Sequence, residues 1–175
     1  MGTTRVLLVG GGGREHALGE ALLRGPGRVE LVAAPGNAGL ARRARCVALP
    51  EASPDALVAL AREARADLVV IGPEAPLVAG AADALRGAGV ACFGPGAAGA
   101  RLEGSKARAK EFLRRHRIPT ADFRVFESYP HALSYVTQAS GPCVVKADGL
   151  AGGKGVYVAD SGAQAARALH QLMVE

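Results

Sequence analysis

Short apolar runs alternate with stretches of helical period along the first hundred residues. Arg5-Val-Leu-Leu-Val9 is apolar and ends in four glycines, and a continuous apolar run bounded by glycine reads as a buried parallel strand. Over Arg14–Leu23 the apolar positions Ala17, Leu18, Ala21 and Leu22 share one helical face, and Gly25-Pro26 stops the helix. Val29–Ala33, Cys46–Leu49, Asp67–Ile71 and Val90–Phe93 are further strand candidates. Between them, Ser53 is placed to cap a helix that begins at Pro54 and carries Leu57, Leu60, Ala61 and Ala64. Leu77–Arg86 is predicted as the next helix. Strands alternating with helices at this spacing predict an α/β fold, a parallel sheet with helices on both faces.

The pattern changes after Gly99. Ala100–His116 reads as one charged amphipathic helix, and Pro119 breaks the chain. Phe123–Phe126 is a strand candidate and Tyr129–Gln138 a helix. Cys143–Ala147 starts a strand, Gly149–Gly155 is a tight loop, Val156–Ala159 is the return strand, and Ala163–Met173 is a last helix. Two domains follow: a Rossmann-like domain over 1–100, and over 101–175 the beginning of a second one. The second has few elements for a core of its own and is expected to be cut short.

Charge and composition narrow the chemistry. The net charge of +5 suits an anionic small molecule. Three Tyr, four Phe and no Trp offer few stacking platforms, which argues against a nucleic-acid partner. Three widely separated cysteines form neither a disulfide framework nor a metal set, which suggests a reducing, cytoplasmic compartment. No apolar stretch is long enough for a signal-peptide core or a membrane span. Of the 21 basic residues only four are lysines, at 106, 110, 146 and 154, so a lysine inside a glycine loop stands out.

Three glycine-containing loops follow strands: 10–13, 36–39 and 72–76. In parallel sheets ligands bind beyond the carboxyl ends of the strands, so the three loops are expected to converge, with Gly12, Asn37 and Glu74 facing one cleft. Gly10–Gly13 opens a helix whose first N–H groups suit an anion. A dinucleotide fingerprint fails, because Glu15 stands where a third glycine is needed and no acid follows the second strand. In the second half, Lys146 lies in an otherwise apolar strand, where a buried ammonium would need an anionic partner. Lys154 sits in a glycine turn followed by Gly155 and a strand, which does not fit a Walker loop and resembles a flap over phosphates, the alternative being a β-hairpin with solvated lysines.

Taken together, Val9-Gly-Gly-Gly-Gly-Arg-Glu-His-Ala17, Ala34-Pro-Gly-Asn-Ala-Gly39, Ile71-Gly-Pro-Glu-Ala-Pro-Leu77, Phe93-Gly-Pro95, Leu102-Glu-Gly-Ser-Lys106, Ile118-Pro-Thr120 and Val145-Lys-Ala-Asp-Gly-Leu-Ala151 run nearly the whole length of the chain. In this order they resemble the glycinamide ribonucleotide synthetase (phosphoribosylamine–glycine ligase) family of ATP-grasp enzymes. The resemblance implies a pre-ATP-grasp domain followed by the start of an ATP-grasp domain. It implies ATP-dependent ligation of glycine to 5-phosphoribosylamine, through glycyl phosphate, in de novo purine synthesis. Gly12, Gly13, Arg14, Glu15, Gly36, Asn37, Ala38, Gly39, Pro73 and Glu74 would then bind the phosphoribosyl substrate. Lys106, Lys146, Gly152, Gly153, Lys154 and Gly155 would bind ATP, Gly152 standing where the family often has alanine. The family's chains continue well past residue 175, and its acidic ligands for Mg2+ or Mn2+ lie there. No catalytic residue and no metal ligand is therefore assigned within this chain, which is expected to be inactive alone; the whole enzyme is expected to be a cytoplasmic monomer. The rivals are another ATP-grasp carboxylate–amine ligase, a biotin carboxylase relative and, outside enzymes, an isolated anion-binding Rossmann-like module.

Overall fold

The structure is a computed structural model that describes residues 2–139 and 141–174. It divides into two compact units, 1–104 and 105–175. In the first, among the described residues, five strands make one sheet in the order β3-β2-β1-β4-β5: β1 Thr4–Gly10, β2 Val29–Pro35, β3 Arg45–Cys46, β4 Leu68–Ile71 and β5 Ala91–Phe93. Every pairing is parallel, and the register puts Gly10 beside Pro35 and Val9 beside Ile71, so the loops after β1, β2 and β4 leave the sheet at one end. Val6–Val9 and Leu31–Ala34 are buried on both faces, as continuous apolar runs require.

Helix α1 (Gly13–Arg24) packs on β1 and β2, while α2 (Pro54–Glu63) and α4 (Ala81–Gly87) contribute Leu57, Ala61, Ala81, Ala82 and Leu85 to the core on the other face. Ser53 caps α2, its Oγ accepting the Ala56 N–H at 3.4 Å. The single helix expected over 77–86 is two. Gly80, at φ +94°, separates α3 (Glu74–Val78) from α4, and Pro76 is tolerated because it lies in the first turn of α3, where its missing N–H breaks no bond. The expected helix over 100–116 also divides, into α5 (Ala97–Gly104) and α6 (Lys106–Arg115), because Ser105 adopts an extended conformation and caps α6 through its side chain.

Gly19 lets α1 lie close on the sheet. A Cβ there would stand 2.6 Å from Leu40 Cδ2 and 3.2–3.3 Å from Leu8 and Leu31, all of them buried. Alanine gains about 1 kcal/mol of helix propensity, but overpacking a filled core costs about 1–3 kcal/mol. Gly19→Ala is expected to destabilise the chain by about 1 kcal/mol net, read as a lower urea midpoint at unchanged slope.

The second unit begins with α6. Its own core joins α7 (Tyr129–Gln138), the antiparallel hairpin of β6 (Cys143–Lys146) and β7 (Val156–Ala159), and α8 (Gly162–Met173) through Ala132, Val136, Val145, Ala159, Ala165, Ala168 and Leu169. Among the described residues 123–126 no strand forms. Phe123 instead lies against the ammonium of Lys110 and the guanidinium of Arg114.

Candidate functional site

The three strand-end loops of the first unit are tied together by hydrogen bonds. Asn37 Nδ2 donates to the Gly11 carbonyl at 3.1 Å, and the Gly36 N–H donates to the Gly10 carbonyl at 3.3 Å. Arg14 Nη1 donates to the Gly72 carbonyl at 2.8 Å and lies 3.6 Å from the Glu74 carboxylate. The Asn37 side-chain oxygen accepts the N–H groups of Gly39 and Leu40 at 3.0 Å and faces His16 Nδ1 at 3.1 Å. Loops separated by dozens of residues thus form one polar rim. Gly12, Gly13, Arg14 and Ala38 are exposed, and Gly36, Asn37, Gly39, Pro73 and Glu74 are half-buried.

Glu15 lies beneath this rim. It is 6% exposed, the only charged side chain buried among the described residues. Its carboxylate accepts the Gly12 N–H at 2.6 Å, which satisfies one donor at the start of α1. A Cβ at Gly72 would collide with this side chain, 2.5 Å from its Cγ. Glycine at 72 is therefore the space into which the carboxylate fits. The N–H groups of Gly13 and Arg14 lie in the first turn of a 12-residue helix, where no intrahelical acceptor exists, and they carry the positive end of its dipole.

In the second unit the loop after β6 is closed by the Ala147 N–H donating to the Gly155 carbonyl at 2.8 Å. Gly149, Gly152, Gly153 and Gly155 all have positive φ, between +55° and +84°, a conformation other residues resist. Lys154 is exposed at its tip. Lys106 is half-buried, and its Nζ donates to the Gly149 carbonyl at 2.7 Å. Lys146 corrects the sequence reading. It is exposed, because β6 alternates: Cys143 and Val145 face the core, and Val144 and Lys146 face away from it. The ammonium shares the outer face of the hairpin with Val144, Val156 and Val158, which are 47–75% exposed. No desolvation cost therefore forces an anion onto it within this chain.

Residues 4–103 match the family model for the N domain of phosphoribosylglycinamide synthetase, and residues 104–175 match that for its ATP-grasp (A) domain. The chain belongs to the phosphoribosylglycinamide synthetase family. It is 48% identical over 171 residues to the phosphoribosylamine–glycine ligase of Allochromatium vinosum, a match that covers 97% of this chain and 40% of that protein. The crystal structure of the Thermotoga maritima phosphoribosylamine–glycine ligase superposes with a TM-score of 0.74 at 33% identity, over 94% of this chain and 38% of that one. The biotin carboxylase domain of a Hydrogenobacter thermophilus carboxylase shares the fold, at a TM-score of 0.68 and 20% identity, over 94% of this chain and 39% of that one. The first unit is the Rossmann-like pre-ATP-grasp domain and the second opens the ATP-grasp domain of this family. The chain spans about two fifths of the length of the curated relatives it matches.

Two functional candidates escaped the sequence. His16 supports Asn37, and Asp148 bridges the root of the glycine loop to α6. Neither stands in a spacing that signals its partner. Burial tends to raise the Asp148 carboxyl's pKa, but hydrogen bonds from the Ala107 N–H, the Ser105 hydroxyl and the Gly149 and Lys106 N–H groups outweigh it and hold the group below the ordinary aspartate range. Among the described residues no group of three or more His, Cys, Asp or Glu is placed to hold a metal ion, and no helix is long and apolar enough to cross a membrane.

Proposed function

We propose that this chain supplies the phosphoribosyl-binding loops and the nucleotide flap of an ATP-dependent carbon–nitrogen ligase. In a protein carrying the full length of the relatives, here the full-span protein, glycine and 5-phosphoribosylamine are joined to glycinamide ribonucleotide while ATP is split to ADP and phosphate. The observation that carries this reading is the hydrogen-bonded union of loops 10–13, 36–39 and 72–74 at the carboxyl ends of β1, β2 and β4. The Gly13 and Arg14 N–H groups take the phosphate at the start of α1, and Gly12, with its own N–H held by Glu15, lets it approach the backbone closely. Gly36, Asn37, Ala38, Gly39, Pro73 and Glu74 line the sugar, the Glu74 carboxylate accepting a hydroxyl or the amine. Glu15 serves the same substrate from below, by holding the Gly12 N–H in place.

The second unit is assigned to ATP. Lys106, Lys146 and Lys154 counter the negative charge, and the backbone of Gly152, Gly153 and Gly155 closes over the phosphates. The glycine carboxylate attacks the γ-phosphorus, and ADP leaves. The amine of phosphoribosylamine then attacks the carbonyl carbon of glycyl phosphate, and phosphate departs with the acyl C–O bond. A closing flap keeps water from the acyl phosphate. Magnesium or manganese would supply positive charge to offset that of the ATP phosphates. Among the described residues no group of three or more His, Cys, Asp or Glu is placed to hold it.

The full-span protein is expected to release ADP only when both glycine and phosphoribosylamine are present, in a coupled ADP assay, while the 175-residue chain releases none. ADP release driven by bicarbonate in place of glycine would favour the carboxylase rival, and turnover by the chain alone would overturn the division of labour.

A further inference from the structure

The glycine loop is anchored at its root by Asp148, a residue with no part in the nucleotide assignment, and by Lys106. Asp148 is the last residue before the first positive-φ glycine, Gly149. Its Oδ1 accepts the Ala107 N–H at 3.1 Å, and the Ser105 hydroxyl donates to its carboxylate at 2.9 Å. Ser105 Oγ in turn accepts the Arg108 N–H at 3.1 Å, so one hydroxyl caps α6 and holds Asp148 together. One residue further on, Lys106 Nζ donates to the Gly149 carbonyl at 2.7 Å. The first turn of α6 thus grips the chain both before and at the loop's first glycine. Beyond that point the described loop has the Lys154 N–H to Ala151 carbonyl bond at 2.8 Å and the closing bond between Ala147 and Gly155. Its tip residues, Gly152, Gly153 and Lys154, are exposed, and a Cβ at Gly152 or Gly153 would meet nothing within 4 Å.

A loop with a held root and a free tip moves as a hinged flap rather than as a random segment. We propose that Asp148 is the positioning residue of this flap: by bridging Ser105 and the Ala107 N–H it sets the hinge about which residues 149–155 close over the nucleotide phosphates. It touches no reacting atom. The proposal rests on the assignment of the loop to ATP. Losing the hinge widens the set of open conformers, and ATP binding must then order a larger ensemble. The effect falls on the apparent affinity for ATP and spares the phosphoribosyl site.

The test uses the full-span protein with Asp148→Ala, Asp148→Asn and Ser105→Ala, and with Lys154→Ala as a control for the loop itself. Asp148→Ala is expected to raise KM for ATP about tenfold, the scale of one lost charge-assisted hydrogen bond, with KM for phosphoribosylamine unchanged. Asp148→Asn keeps an acceptor for the Ala107 N–H and is expected to recover part of that loss. Ser105→Ala removes the hydroxyl arm and is expected to raise KM for ATP less than Asp148→Ala does. Amide exchange without nucleotide is the second readout: the Ala107 N–H and the amides of 149–155 should exchange faster in Asp148→Ala while those of the α7–α8 core keep their protection. If Lys154→Ala leaves KM for ATP unchanged, the loop assignment fails. If Lys154→Ala raises it but all three bridge variants match the parent in KM and in Ala107 exchange, the hinge is refuted. Equal loss of protection across the whole second unit would also refute it, by showing a general stabilising role.

Discussion

Lys146→Ala in the full-span protein is expected to lower kcat/KM for ATP by about 100- to 1000-fold, the range for removing one preorganised charge donor from a transferring group. Phosphoribosylamine binding should hold within about twofold, because its loops belong to the other unit. The same change should leave the 175-residue chain as stable as before, within about 0.5 kcal/mol. Both expectations come from one feature. The ammonium lies on the outer, exposed face of β6, so no core packing is lost with it. Its neighbours on that face, Val144, Val156 and Val158, are apolar. A nucleotide seated there would meet the positive charge in apolar surroundings, where it counts for more than in water. Thermal melts of the chain and ADP release by the full-span protein check the two halves separately. A variant with lost activity and a lost fold would mean that the lysine is structural.

Gly11→Ala is the larger change in the first unit. A Cβ at position 11 would stand 2.5 Å from the Gly36 carbonyl oxygen, a backbone atom that cannot rotate away. Loops 10–13 and 35–39 must separate to admit it. That movement strains the Asn37 Nδ2 bond to the Gly11 carbonyl and the Gly36 N–H bond to the Gly10 carbonyl. A cost of about 1–3 kcal/mol follows from overpacking and broken bonds. For a chain of this size each 1 kcal/mol lowers Tm by about 2–4 °C. In the full-span protein KM for phosphoribosylamine should rise at least tenfold, while KM for ATP stays put. A melt superimposable on that of the parent chain would show that the loops do not depend on their close approach.

The strands β1, β2 and β4 were readable because Val, Leu and Ile runs that end in glycine or proline have few alternatives, whereas β3, at Arg45–Cys46, meets the expected strand over 46–49 only at Cys46. The breaks within helical stretches were not. Gly80 and Ser105 interrupt amphipathic patterns that continue across them, and it takes the left-handed turn at one and the cap at the other to divide the helix. Lys146 shows a different failure. An apolar run of four residues suggests burial on both faces, whereas a two-stranded hairpin covered on one side leaves every second residue outside. The loops of the first unit were legible as glycine clusters. Their linkage through Arg14 to Gly72 and Asn37 to Gly11 depends on strand register, which no local spacing encodes. The same holds for Asp148 and Lys106, whose partners lie about forty positions away in sequence.

In the proposed function the two units serve two different substrates. The most direct measurement is the pair of apparent KM values, for phosphoribosylamine and for ATP, determined side by side in full-span Arg14→Ala and Lys154→Ala. Arg14 reaches both Gly72 and Glu74 on the polar rim of the first unit, and Lys154 stands at the exposed tip of the glycine loop. The expected result is a crossed pattern: Arg14→Ala raises only the first value and Lys154→Ala only the second, each by about tenfold or more. Both variants raising the same KM, or each raising the other's, would contradict it.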